Sequence, residues 1–64
     1  MYIPNYNIGD IVTIKQNGEI NLIVDIVYKK KYPSDTGYHF LELATGRYFM
    51  WTAIHIDNFI RLVA

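Results

Sequence analysis

The residues best suited to chemistry are concentrated in one run, Val27-Tyr28-Lys29-Lys30-Lys31-Tyr32-Pro33-Ser34-Asp35. Cations track phosphates and aromatic rings stack on bases. Tyr28, Lys29, Lys30, Lys31 and Tyr32, extended by Arg47, are therefore the candidate nucleic-acid contacts. Three phosphate contacts give a salt slope of only about −2 to −3, a modest grip. Pro33, Ser34, Asp35 and Gly37 follow at once, and that composition forms turns. The plainer reading is a solvated loop between two strands, whose lysines also discourage edge pairing. A third use of the same charges is contact with an acidic protein surface.

The remaining chemical residues do not assemble into a catalytic set. The chain has no cysteine, and Ser34 is its only serine, set in turn composition without a glycine-rich nucleophile elbow. Asp10, Glu19, Asp25, Glu42 and Asp57 are scattered, whereas acid–base pairs need two carboxyls held at fixed separation in a cleft. His55 and Asp57 would share a face if their segment were extended, with His39 as a third ligand, but zinc sites usually want four ligands at tight spacing. The four glycines are isolated and mark strand ends rather than a phosphate loop. The expectation is a non-enzymatic protein with no catalytic residues, no cofactor and no metal.

Composition bounds the rest. Sixty-four residues make one domain, residues 1–64. A chain this short buries only about 60% of its unfolded surface. Hydrophobic residues nevertheless make up 52% of it, so some large apolar side chains must stay outside. A contiguous patch of them marks an interface. Net charge is zero, whereas dedicated nucleic-acid binders are usually basic. There is no run of about 18 apolar residues and no basic-then-apolar leader, so the expected compartment is the cytoplasm and no membrane is involved. The many Ile, Asn, Lys and Tyr residues fit an AT-rich gene, as in a low-GC bacterium or a phage.

The elements that must position these residues are strands, because Ile, Val, Tyr, Phe and Thr dominate. Two hairpins organise them. Lys15–Glu19 and Leu43–Arg47 each offer three loop residues ending in glycine, where a left-handed residue costs least. In the first, a Gln16-Asn17-Gly18 loop pairs Lys15 with Glu19, Ile14 with Ile20 and Val12 with Leu22. One apolar face then continues to Val24 and Ile26, and Thr13 opposes Asn21 on the other. In the second, His39, Leu41, Leu43, Phe49 and Trp51 share one side, and Tyr38, Phe40, Glu42, Tyr48 and Met50 the other. One set enters the core and the other is an exposed strip. Phe49 and Trp51 are taken as core, which leaves Tyr38, Phe40, Tyr48 and Met50 as the candidate protein-binding residues. A turn around Asp57-Asn58 precedes a last strand. The map is five strands near 10–16, 20–29, 37–43, 47–54 and 59–63.

Ile8-Gly9-Asp10-Ile11-Val12-Thr13-Ile14, the hairpins and Trp51–Val63 together resemble the small SH3-like barrels, a superfold shared by KOW, Tudor and SH3 domains. The resemblance implies an all-β, five-stranded antiparallel barrel with a short 3₁₀ turn before the last strand. It matches no single family: there is no Ala-Leu-Tyr-Asp-Tyr run, no tryptophan pair and no basic glycine-centred loop. The functional expectation is a protein-interaction module, such as a small phage or bacterial accessory protein docking on a larger one. A weak nucleic-acid binder and a structural homo-oligomer are the alternatives.

Overall fold

The chain, described by a computed structural model over residues 3–29, 31–32 and 35–63, is all-β apart from one helical turn. Its strands are β1 (Ile11–Ile14), β2 (Ile20–Val27), β3 (Gly37–Glu42), β4 (Tyr48–Thr52) and β5 (Ile60–Leu62), with α1 (Ala53–Ile56) between the last two. They form one antiparallel sheet in the order β4-β3-β2-β1-β5. The sheet does not close: β4 and β5 are its edges, so the expected barrel is not completed by a ladder. The connector before β5 is a four-residue α-helix where a 3₁₀ turn was expected.

Both hairpin loops hold four residues, one more than the sequence reading gave them. Ile14 N–H donates to the Glu19 carbonyl and Gly18 N–H to the Ile14 carbonyl. Glu42, Arg47 and Gly46 repeat this pattern. Gly18 and Gly46 take φ of +72° and +74°, the left-handed region that glycine occupies without steric cost. The residue before each glycine braces its loop in the same way. Asn17 Oδ1 accepts from Glu19 N–H at 2.9 Å, and Thr45 Oγ1 accepts from Arg47 N–H at 3.2 Å.

One extra loop residue shifts each register by one, and a one-residue shift exchanges the faces of the strands. Val12 therefore stands opposite Asn21, not Leu22, and Thr13 opposite Ile20. Ile23 and Ile26 enter the core, while Leu22 and Val24 face outward and are half-buried. A bulge at Val24, between Ile23 and Asp25, lets both Ile23 and Ile26 point inward despite their three-residue spacing.

The core is Val12, Ile23, Ile26, Tyr38, Phe40, Ala53, Ile56 and Ile60, with Tyr6, Ile14 and Phe49 packed at its margin. Aromatic rings run through it. Tyr6 meets Tyr38 edge-on at 6.3 Å, Tyr38 tilts on Phe40 at 5.6 Å, and Phe40 stacks on Phe49 at 5.2 Å. The Tyr38 hydroxyl donates to Asp57 Oδ1 at 2.6 Å and accepts from Tyr6 N–H at 3.3 Å. One buried phenol thus ties β3 to the turn after α1 and to the segment before β1. Tyr6 in turn donates its hydroxyl to the Ile60 carbonyl.

Asn21 is the exception in this core. It is fully buried, yet neither polar atom of its amide has a partner among the described residues. A buried polar group left unpaired costs about 1–3 kcal/mol. Asn21→Leu, of nearly the same shape, is expected to raise unfolding stability by about 1–2 kcal/mol in urea denaturation. Tyr38→Phe is expected to lower it by about 1–3 kcal/mol, because the buried Asp57 carboxylate loses its phenol donor.

Candidate functional site

The register decides which aromatic residues can meet a partner. Tyr38 pairs with Trp51 and Phe40 with Phe49, so these four share the inner face with Glu42 and Arg47. Tyr38 and Phe40 are buried, and this corrects their assignment to an exposed strip. Tyr48 and Met50 do lie outside, 69% and 56% exposed. Trp51, expected in the core, is half exposed at the margin of the inner face.

The outer face carries a feature that no single segment of the sequence announces. Val63 lies beside Ile11, Ile11 opposite Leu22, Leu22 opposite Leu41, and Leu41 opposite Tyr48. This apolar belt crosses the whole sheet, about 19 Å at the usual strand spacing. Ile20, Leu43 and Met50 flank it, each about half exposed. Antiparallel sheets with one solvated face usually make that face polar. Leu22, Leu41 and Ile11 were missed because their role rests on the register, and the register rests on loop length.

The inner face opens beside β4. A cavity of about 540 Å³ lies between Phe49 and Trp51 on one side and Ile14, Ile56 and Phe59 on the other. Its size is within the range of small-molecule sites, about 300–1,000 Å³. Gln16, Asn17, Glu19, Arg47 and His55 form its polar rim. Arg47 stacks its guanidinium on Phe49 at 4.9 Å and reaches Glu42 at 3.6 Å. The Thr45 hydroxyl donates to Glu42 Oε1 at 2.5 Å.

Glu19 and Glu42 are neighbours here, and they titrate apart. The hydrogen bond it shares with Glu42 raises the Glu19 pKa above the ordinary carboxylate value, with desolvation and the Glu42 charge adding to it. The Thr45 hydroxyl, followed by Glu19 and Arg47, lowers that of Glu42. The folded chain holds the Glu19 proton more tightly than the unfolded chain does. That contribution to stability is present at low pH and is lost as pH rises through the raised value. Glu42 contributes in the opposite sense: its stabilisation is present above the ordinary carboxylate range and is lost as pH falls through its lowered value.

The proposed nucleic-acid set is divided. Tyr28, Lys29, Lys31 and Tyr32 are exposed between β2 and β3, and the Lys31 ammonium lies 5.7 Å from the Tyr32 ring centre. Lys30 and Ser34 lie outside the described residues. Arg47 sits at the far end of the strands, about 25 Å away by the length of β2, and is already engaged with Glu42 and Phe49. The structure does not join it to the lysine run.

The metal candidates are also dispersed. Asp57 is buried on Tyr38, His55 is exposed on α1, and His39 stands opposite Met50 on the outer face. No three His, Asp or Glu side chains are grouped to hold a metal ion among the described residues. Nor is any helix among them long and apolar enough to cross a membrane. Comparison with known protein families, characterised proteins and solved structures finds no match.

Glu19→Gln removes the carboxylate that must ionise beside Glu42. The thermal midpoint is expected to rise at about pH 7 and to stay nearly unchanged at about pH 3.5, where the wild-type group already carries its proton. Differential scanning calorimetry at the two pH values checks this. Gly46→Ala is expected to cost about 1–2 kcal/mol, the penalty for a Cβ in the left-handed region, read from the urea midpoint.

Proposed function

We propose that this protein is a non-enzymatic interaction module that docks on a larger protein through the outer face of its sheet. The apolar belt Val63–Ile11–Leu22–Leu41–Tyr48, with Met50 beside it, is the observation that carries the reading. A contiguous apolar patch on a small protein is costly to leave in water and marks a contact surface. Tyr48 and Met50 supply the side-chain types enriched at such surfaces. The strand order and the helical turn before β5 fit an SH3-like, barrel-type course of the chain in which β4 and β5 remain open edges. An accessory role in a cytoplasmic assembly of a bacterium or phage fits the chain's size and neutral charge.

The test is photo-crosslinking in the organism of origin with benzoylphenylalanine in place of Tyr48, followed by binding measurements on the trapped partner. A discrete protein partner is expected, with affinity nearly constant between about 50 and 200 mM salt, the range over which phosphate contacts weaken steeply. Met50→Ser should weaken binding by about tenfold or more, as loss of a buried anchor does, with an unchanged circular-dichroism spectrum. A partner that binds Met50→Ser as tightly as wild type would remove the belt from the contact. A nucleic-acid partner released by salt would remove the protein-docking reading itself.

A further inference from the structure

The two edges of the sheet are protected very differently. β5 is three residues long and carries Arg61. β4 is Tyr-Phe-Met-Trp-Thr, five residues with no charge, no proline and no bulge. Natural edges usually carry one of these devices, because an unpaired row of N–H and C=O groups templates another strand.

Which groups are unpaired follows from the ladder. Hydrogen-bonded and non-hydrogen-bonded pairs alternate along antiparallel strands. Glu42 N–H donates to the Arg47 carbonyl, and Ala53 N–H donates to the Thr36 carbonyl. Arg47, Phe49, Trp51 and Ala53 therefore turn their backbone groups toward β3. Those of Tyr48, Met50 and Thr52 point away from the sheet.

We propose that β4 pairs with β4 of a second copy of this chain, antiparallel about a two-fold axis at Met50, joining two sheets into one of ten strands. The register is self-complementary. Met50 faces the partner's Met50 and exchanges both backbone bonds with it, and Tyr48 faces the partner's Thr52, whose N–H reaches the Tyr48 carbonyl while the Thr52 carbonyl already starts α1. Between them, Phe49 faces the partner's Trp51 twice, in the non-hydrogen-bonded positions where side chains are closest. Those rings lie at the mouth of the 540 Å³ cavity and would help fill it. Charge allows the pairing: Arg47 falls opposite the partner's Ala53, no like charges oppose one another, and the chain is neutral overall. The edge borders the belt: pairing covers Tyr48 and Met50 in part, while Val63, Ile11, Leu22 and Leu41 stay free on the outer face of the joined sheet.

Area sets the strength. Tyr48 and Trp51 on β4 are each half exposed or more, and aromatic side chains offer about 150–250 Å² apiece. With Met50 and the strand backbone, each copy contributes roughly 400–500 Å², in the range of weak, transient interfaces. The dimer is therefore concentration-dependent.

Sedimentation equilibrium of the purified chain tests this without any partner. The expected mass is 7.5 kDa at about 1 μM and rises toward twice that value near 1 mM, as a weak dimer requires. Met50→Lys places two ammonium groups across the axis and should hold the protein at monomer mass at every concentration, as should Met50→Glu with two carboxylates. Mixing these two variants should restore the dimer, because opposite charges then meet. Met50 is exposed, so circular dichroism should show both variants folded. A wild-type mass that stays at the monomer value throughout overturns the proposal. So does a dimer that survives Met50→Lys, and so does a mixture that remains monomeric.

Discussion

Gly18 and Gly46 close two hairpin loops of the same length, and that length determines what the rest of the molecule can be. Side chains alternate along a strand with a period of two, so each loop residue added or removed exchanges core and solvent faces. With four residues per loop, Val12, Ile23, Tyr38 and Phe40 are inside. Tyr48 and Met50 are outside, and Leu22 and Leu41 join the belt. A three-residue loop would send Leu41 inward and Tyr38 out, breaking the bond between the Tyr38 hydroxyl and Asp57.

Within that frame the chain stabilises itself without disulfide or thiolate metal site, since it has no cysteine. A small domain has little interior, so large rings are an economical way to fill it. The sequence Tyr6–Tyr38–Phe40–Phe49, capped by the Arg47 guanidinium, links the N-terminal segment to the second hairpin loop through continuous aromatic contact. The hydroxyls of Tyr6 and Tyr38 reach polar partners at its near end, as buried phenols must. Asn21 shows the cost of the chosen register: the slip that buries Ile23 also buries an amide on the same face.

The five strands were legible because β-branched and aromatic runs are bounded by turn residues, and observed and expected spans differ by only a residue or two at most ends. The glycine turns were legible for the same reason. Loop length was not. Three- and four-residue loops can both end in a left-handed glycine, and Lys15 and Leu43 serve either as the last strand residue or as the first loop residue. The bulge at Val24 was hidden too, because Ile23-Val24 gives two apolar residues in succession and either could point inward. The belt could not be read at all before the register was known: its five residues come from five different segments. The lysine run was the loudest signal and proved to be a segment remote from Arg47, because sequence proximity says nothing about which end of the sheet a loop occupies.

The register of the second hairpin is the claim on which this account turns, and cross-strand Hα–Hα nuclear Overhauser effects read it directly. In antiparallel sheets the close Hα pairs are those of non-hydrogen-bonded positions, where Cα atoms approach to about 4.5 Å. The observed ladder places them at His39–Met50 and Leu41–Tyr48. Strong effects at those two pairs would establish the four-residue loop and, with it, the sorting of Tyr38 and Phe40 to the core and Tyr48 and Met50 to the surface. Strong effects at Phe40–Met50 and Glu42–Tyr48 would instead show a three-residue loop, and the belt, the free groups of β4 and the functional reading built on them would be wrong.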